Sequence, residues 1–181
     1  MFKFCPSCSS DKITFDNGRV FRCPACGFTY YHNTAAATGC VIAVPGGRIL
    51  FLVRGKEPSK GKLDLPGGFV DPGEGALDGL HRELREELGW TPPVPPGTPL
   101  ASVYTLFASF PNLYPYKGIP YNTCDLYFAL EAPDLSPADL VLAPGEIAGV
   151  RFLAPEEIDF GQIAFDSTRN AVRAYMALGK S

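Results

Sequence analysis

The chain has 181 residues, an apolar content of 46% and a formal net charge of −3, which suits one ordinary domain with a hydrophobic core and a small additional module. This charge gives no general attraction to nucleic acid or to an anionic membrane. The N-terminal residues lack the pattern of a secretory signal, and no apolar run approaches the roughly 20 residues of a membrane span. We therefore expect a cytoplasmic protein.

Four of the six cysteines form two pairs with the spacing C-x2-C-x14-C-x2-C. The pairs consist of Cys5, Cys8, Cys23 and Cys26. This spacing is close to the four-cysteine zinc pattern, whereas a redox pair would be expected beside a βαβ pattern, which is missing. Disulfides would require an oxidising compartment. The spacing predicts a structural Zn²⁺ site in a ribbon at residues 1–33, followed by a second domain at residues 34–181.

The predicted ribbon is close to neutral once four thiolates and one Zn²⁺ are counted with its Lys, Arg and Asp side chains. A neutral surface is a poor binder of phosphates, so we expect the ribbon to pack against the rest of the chain or against a second subunit. The remaining cysteines, Cys40 and Cys124, lie in apolar segments, and we expect both to be buried in strands.

The second domain begins with strand patterns. Residues 38–44 and 48–53 are apolar runs around the turn-forming pair Gly46-Gly47, which predicts a β-hairpin. Residues 63–66 alternate like a short strand, and the glycines at 67 and 68 then permit a tight turn before a helical, acidic segment.

After the acidic segment, the proline-rich residues 91–99 predict a connector. Residues 101–110 and 121–131 predict two strands joined by an aromatic, proline-rich loop, and residues 150–153 predict a short strand. A short helix is predicted to begin at 154–158. Ser167–Leu178 reads as a capped amphipathic helix with Ala171, Val172, Tyr175 and Leu178 on one face. Together these elements predict an α/β fold, an α/β/α sandwich with a mixed sheet.

The acidic segment places Glu83, Glu86 and Glu87 at i, i+3 and i+4, on one face of a helix. Like charges at this spacing destabilise a helix slightly, and clustered carboxylates suit Mg²⁺ or Mn²⁺. A solvated face in which Arg82 pairs with Glu86 is the simpler interpretation of such a run. The strand and glycine turn that precede the helix favour an anion-and-metal site.

This segment resembles the signature of the Nudix hydrolases, G-x5-E-x7-R-E-U-x-E-E-x-G-U, in which U is a bulky aliphatic residue. The seven fixed positions are Gly68, Glu74, Arg82, Glu83, Glu86, Glu87 and Gly89. The one departure is Trp90 at the last U position, which is still large and apolar. The resemblance covers about residues 34–178.

The resemblance implies a role for each matched position. Glu83, Glu86 and Glu87 would be ligands of a catalytic Mg²⁺ or Mn²⁺, together with the backbone carbonyl of Gly67. Glu74 and Arg82 would form a structural pair that ties the loop to the helix. Family members hydrolyse nucleoside diphosphates linked to another moiety, which implies metal-assisted attack of water at one phosphorus and release of a nucleoside monophosphate.

A further glutamate, Glu146, lies in a run G-E-I-x-x-x-R-F that resembles the segment carrying an extra metal-binding glutamate in NADH-pyrophosphatase-like members. We therefore add Glu146 to the candidate catalytic residues. The alternative is an exposed loop glutamate.

The substrate is predicted only by class. A ribbon joined to this domain resembles members that cleave NADH, FAD or ADP-ribose, and homodimers are common among them. The aromatic residues of the 107–121 segment, namely Phe110, Tyr114, Tyr116 and Tyr121, could stack on an adenine or flavin ring or could simply pack the loop. Two other functions stay open: a regulatory nucleotide-binding module without catalysis, and removal of RNA caps with the ribbon as RNA grip. The near-neutral ribbon argues against nucleic acid as a partner.

Overall fold

The computed structural model describes residues 2–179, and its N-terminal part is a small three-stranded antiparallel sheet. The strands are β1 (Thr14–Asp16), β2 (Val20–Arg22) and β3 (Thr29–Tyr31), paired in that order. The two cysteine pairs lie in turns before β1 and after β2. The predicted ribbon is therefore confirmed, while the boundary at residue 33 stays a prediction.

The second sheet has six strands and is mixed. Its strands are β4 (Ala35–Val44), β5 (Arg48–Arg54), β6 (Leu63–Asp64), β7 (Thr105–Tyr116), β8 (Ile119–Glu131) and β9 (Ile147–Leu153). Their order is β6-β5-β4-β8-β7, and β9 also pairs with β5. Only β4 and β8 pair in parallel; the other pairings are antiparallel.

Two helices cover the opposite faces of this sheet: α1 (Ala76–Leu88) and α2 (Asp166–Leu178). Side chains of β4 alternate between two apolar cores, with Cys40 and Ile42 in the core under α1 and Val41 in the core under α2. This alternation follows from the two-residue period of a strand. The predicted α/β/α sandwich is confirmed, and neither helix of residues 2–179 is long and apolar enough to cross a membrane.

The predicted aromatic loop between the two long strands was wrong, because the strands continue through it. β7 runs to Tyr116 and β8 starts at Ile119, and the connection is a two-residue turn at Lys117-Gly118 with φ of 48° and 78°. Two positive φ values match the tight turn preferred by twisted hairpins. Pro111 and Pro115 are tolerated because β7 is an edge strand, where a missing N–H breaks few ladder bonds, and Pro120 lies on β8 before its pairing with β4 begins at Thr123.

Three smaller predictions were also wrong. Cys40 is fully buried, but Cys124 is exposed, because it lies on the side of β8 opposite to Thr123 and Asp125, near the hairpin end. The helix predicted to be capped at Ser167 begins at Asp166, with no side-chain bond from its capping residue. Leu178 at its end is exposed, although Ala171 and Val172 on the same face are buried.

Candidate functional site

The glycine turn after β6 runs along the edge of β4. The N–H of Thr38 donates to the carbonyl of Gly68 at 2.8 Å, and the N–H of Cys40 donates to that of Pro66 at 2.9 Å. Gly67 has a φ of 140°, and a Cβ there would lie 2.2 Å from the carbonyl oxygen of Thr38. The close approach of the turn to β4 therefore requires glycine at this position.

Helix α1 brings its carboxylates up to this turn. Glu87 is 8% exposed and accepts a hydrogen bond from the N–H of Gly67 at 2.8 Å. Glu83 is half-buried, and its carboxylate occupies the space that a Cβ at Gly68 would need, 2.5 Å away. The two glycines thus allow the turn and two of the helix carboxylates to meet.

The third carboxylate of the helix points elsewhere. The Glu86 side chain is 57% exposed and contacts Arg82 at 3.2 Å, and Glu86 is outside the lining of the cleft described below. The structure therefore brings together Glu83, Glu87 and Gly67 and leaves Glu86 at the rim, so its role as a metal ligand stays a prediction.

Arg82 ties the loop to the helix. Its Nε and Nη2 donate to the two carboxylate oxygens of Glu74 at 2.8 and 3.0 Å, and Nη2 also donates to the carbonyl of Phe69 at 3.0 Å. Its Nη1 donates to Glu83 at 2.8 Å. The hydrogen bonds that Glu74 accepts, first those from the Arg82 side chain, lower the pKa of Glu74. Gly89, the last glycine of the signature, follows α1, and its N–H donates to the carbonyl of Arg85 at 3.0 Å.

The carboxylates at the cleft repel one another. Burial raises the pKa of Glu87 well above its ordinary value, and the charges of Glu83, Asp64 and Glu146 add to this effect. Burial also raises the pKa of Glu83, against the lowering effect of Arg82. A divalent cation would relieve this repulsion, and carboxylate and carbonyl oxygens are the donors that Mg²⁺ and Mn²⁺ prefer. The residues present therefore fit such an ion.

Glu146 lies beside these carboxylates, just before β9, and lines the same cleft. Its side chain forms an ion pair with Lys56, and its carbonyl accepts from the N–H of Gly55 at 2.7 Å. The loop position expected from the sequence is thus correct, but the carboxylate is paired. Its catalytic role stays a prediction.

The carboxylates lie at one end of a cleft with a volume of about 250 Å³. Its other walls carry the cationic side chains of Arg54 and Lys56 and the aromatic rings of Phe69, Tyr114 and Phe165. The cleft therefore combines acidic, basic and aromatic side chains.

Only one of the four aromatic residues proposed from the sequence, Tyr114, lines this cleft. Phe110 lies against Tyr127, with ring centroids 6.3 Å apart. Tyr121 is 6.3 Å from Phe69, and Tyr116 is exposed near the hairpin turn.

Several lining residues were missed by sequence reasoning: Phe69, Asn112, Thr123, Asp125 and Phe165. The signal for two of them was present. Thr123 and Asp125 are polar residues at alternate positions of a strand whose later residues are apolar, a pattern that places both on one face.

The cysteine cluster forms a second site. The four Sγ atoms lie within 4.8 Å of one another. The Cys5–Cys26 and Cys8–Cys23 sulfurs are 3.6 and 3.7 Å apart. Four sulfurs arranged tetrahedrally at the usual Zn–S distance would be separated by about 3.8 Å. The cluster could therefore hold a metal ion of this kind.

Comparison with known proteins agrees with the geometry. A family model described as the NUDIX domain matches residues 33–174. The chain is 33% identical over 87 residues to an NAD-capped RNA hydrolase, NudC, of Stutzerimonas stutzeri, an alignment that covers 48% of this chain and 31% of that protein. It is 40% identical over 65 residues to an ADP-ribose pyrophosphatase of Methanocaldococcus jannaschii, which covers 36% of this chain and 37% of that protein. The aligned parts thus span about a third of these relatives.

A solved structure has the same fold. It is a NUDIX hydrolase from Nitrosomonas europaea, with a TM-score of 0.64 and 23% identity, over 97% of this chain and 91% of that one.

Proposed function

Since this chain belongs to the NUDIX domain family, we propose that it hydrolyses the pyrophosphate bond of a nucleoside diphosphate linked to another moiety. The observation that carries the proposal is the meeting of Glu83 and Glu87 with the Gly67 turn, at one end of a cleft that also holds cationic and aromatic side chains. A diphosphate, a metal ion and a nucleoside each have matching chemistry there.

The chain's own residues would position the substrate. Glu83, Glu87 and the Gly67 carbonyl would hold Mg²⁺ or Mn²⁺, with Glu86 or Glu146 as further ligands. When bound, such an ion neutralises phosphate charge and lowers the pKa of bound water. Arg54 and Lys56 supply positive charge in the same cleft, where they would bind the phosphate oxygens. Arg82 would hold Glu83 in place through the Glu74 pair.

The substrate class that we propose is ADP-ribose, FAD or NADH. The cleft is slightly smaller than the roughly 300–1,000 Å³ of typical ligand pockets, so it would enclose the diphosphate and one nucleoside while the other moiety extends outward. The substrates named for the two relatives, NAD-capped RNA and ADP-ribose, both contain an adenosine diphosphate unit, which supports the class.

The test is a substrate panel of ADP-ribose, NADH, NAD, FAD and diadenosine polyphosphates with Mg²⁺ or Mn²⁺. Phosphorus NMR should show a nucleoside monophosphate and a second phosphorylated product. Glu87→Gln should remove most of the turnover, because it replaces a buried charged ligand. Glu156→Gln, at an exposed glutamate in the turn at residues 155–157, is the matched control and should leave turnover unchanged. Cleavage that survives Glu87→Gln would refute the proposal.

A second candidate is action on the NAD cap of RNA, which the similarity to NudC favours. If the ribbon grips RNA, capped RNA should be cleaved with a higher kcat/KM than free NAD, and the advantage should fall steeply with added salt. Equal kcat/KM values would exclude this candidate. Binding of nucleotides without any turnover would instead indicate a regulatory module.

We also propose that the cysteine cluster holds a structural Zn²⁺ and that the protein is a cytoplasmic homodimer. Reduced thiols suit the cytoplasm. The exposed apolar residues Leu106, Leu113 and Ile119 on the β7–β8 hairpin offer a surface for a second subunit. Light scattering tests the homodimer, which a monomer at micromolar concentration would contradict, and cell fractionation tests the cytoplasmic location.

A further inference from the structure

Three buried side-chain atoms in the described part of the chain lack hydrogen-bond partners: Nη2 of Arg54, Oγ1 of Thr123 and Oδ1 of Asp125. All three residues line the cleft. Unpaired polar atoms are rare in protein interiors because each one costs free energy that folding must offset. Their shared position indicates that a ligand supplies the missing partners.

A hydrogen bond from Ser167 fixes the position of the Asp125 carboxylate. Asp125 is 7% exposed, and its Oδ2 accepts from the hydroxyl of Ser167 at 2.7 Å. The Ser167 hydroxyl in turn accepts from the hydroxyl of Tyr127 at 3.0 Å. One carboxylate oxygen is therefore used to fix the side chain, and the other stays available.

A second set of hydrogen bonds links Thr168 through Asp64 to Arg54. The hydroxyls of Tyr127 and Thr168 lie 3.3 Å apart, and Thr168 donates to Asp64 at 3.0 Å. Asp64 accepts from Nη1 of Arg54 at 2.9 Å, which leaves Nη2 unused. The two sets of hydrogen bonds thus leave an unpaired acceptor on Asp125 and an unpaired donor on Arg54.

The register of the sheet places Asp125 across β4 from Phe69. Asp125 pairs with Ala37 on β4, and Ala37 forms an isolated bridge with Phe69, directly after the glycine turn. Two strand spacings correspond to roughly 10 Å.

We propose that Thr123 and Asp125 form a subsite for a hydrogen-bond-donating group of the substrate's nucleoside, either a ribose hydroxyl or a base amino group. The inference rests on the proposed function and specifies its substrate. An ionised carboxylate only accepts hydrogen bonds, so it selects a donor and rejects a phosphate oxygen. The Thr123 hydroxyl, on a residue that is 3% exposed, can donate or accept beside it.

Nearby aromatic rings fit a nucleoside at this place. Tyr114 and Phe165 both line the cleft, with ring centroids 5.5 Å apart. The Arg54 guanidinium lies over the Phe165 ring at 4.9 Å, which fixes both groups. A base or ribose that binds Asp125 would therefore have apolar ring surface beside it.

The experiment compares kinetics and stability of Thr123→Val and Asp125→Asn with those of the parent chain, using ADP-ribose as probe. Each variant should raise KM at least tenfold with little change in kcat, because the bond lies outside the reacting atoms. Thr105→Val, an exposed threonine on β7, is the matched control and should leave KM unchanged. Unchanged KM in both cleft variants would overturn the proposal.

Stability separates a binding role from a structural one. Thr123→Val removes a hydroxyl that has no partner in the free protein, so its melting temperature should equal or exceed that of the parent. Thr168→Val removes a hydroxyl that donates to Asp64, so it should lower the melting temperature. A melting temperature of Thr123→Val that falls as far as that of Thr168→Val would assign Thr123 a structural role and refute the subsite.

Two substrate analogues distinguish the donating group. If the base amino group binds Asp125, the hypoxanthine analogue of ADP-ribose should show the same KM in the parent and in Asp125→Asn. If a ribose hydroxyl binds Asp125, the deoxyribose analogue should instead show the same KM in the parent and in Asp125→Asn. An Asp125→Asn effect that persists with both analogues would contradict the proposal.

A binding measurement separates this inference from the proposed reaction. Calorimetry with AMP in buffer without added Mg²⁺ or Mn²⁺ needs no catalysis, and Thr123→Val should weaken AMP binding at least tenfold. Loss of AMP binding without hydrolysis of any panel member would keep the subsite and refute the reaction. Hydrolysis with unchanged AMP binding would refute the subsite alone.

Discussion

Replacing Arg82 by lysine should reveal how much the Nudix signature segment depends on the shape of one guanidinium. Arg82 makes two bonds to Glu74, one to Glu83 and one to the carbonyl of Phe69, all between 2.8 and 3.0 Å. Lysine keeps the charge but has a single ammonium group, so it cannot contact Glu74 through two bonds and also hold Glu83. At least two charge-assisted bonds should be lost.

The magnitude follows from these bonds. Hydrogen bonds to charged groups contribute about 1.5–3 kcal/mol each, but the Arg82 side chain is 23% exposed, which reduces the effect through solvent screening. We expect the free energy of unfolding to fall by about 2–3 kcal/mol, which for a chain of this size lowers the melting temperature by roughly 5–10 °C. Turnover should also fall, because Glu83 loses its support.

The assay is urea unfolding in EDTA, with Arg85→Lys as matched control. Arg85 is exposed on the same helix, so its substitution should change the free energy of unfolding by no more than about 0.5 kcal/mol. Equal losses in both variants would refute the structural role of the Arg82 network.

The pH dependence offers a second check. The bonds to Arg82 lower the pKa of Glu74 in the folded protein. The stability that comes from this shift is therefore fully present above the ordinary glutamate pKa of about 4.3, and it is lost as pH falls through the lower, folded value. The difference between the parent and Arg82→Lys should shrink in that acidic range. A difference that grew with acidity would contradict this explanation.

Three further predictions concern the cysteine cluster, the glycine turn and the core. Chelation of the metal at the four cysteines should lower the melting temperature before it affects kcat, because a closed site contributes to folding; an unchanged melting temperature would contradict the structural role. Gly68→Ala should lower kcat by more than about tenfold, because its Cβ would displace the Glu83 carboxylate, whereas Gly149→Ala meets no atom within 4 Å and should be active. Leu84→Ala should cost about 2–5 kcal/mol in urea unfolding, because Leu84 is fully buried, whereas Leu178→Ala, at an exposed side chain, should change little.

Predictions from the sequence succeeded where the pattern is local. Short-range periodicity and turn chemistry predict β4 and β5 on both sides of the glycines at 46 and 47, and they also predict α1, which carries the signature glutamates. Neither pattern depends on distant residues. The cysteine spacing likewise predicted a cluster, since each pair is a turn-borne unit.

They failed where the outcome depends on what packs against a segment. The prolines of residues 111–120 suggested a loop, yet two of them lie on the edge strand β7 and the third lies on β8 before its pairing with β4 begins. Cys124 was expected in the core because it is small and apolar, but the core residues of β8 lie further along the strand.

The amino-acid order by itself determined the family, the metal chemistry that the family implies and the register of Glu83, Glu86 and Glu87 on one helix, because these depend on spacings within a few turns. The folded chain alone determined that Glu83 and Glu87 meet the glycine turn while Glu86 faces solvent. It also determined that Thr123 and Asp125 line the cleft with unpaired atoms. The physical reason is that burial and hydrogen-bond satisfaction are set by neighbours from β4, β8 and α2, which are distant in sequence and adjacent only after folding.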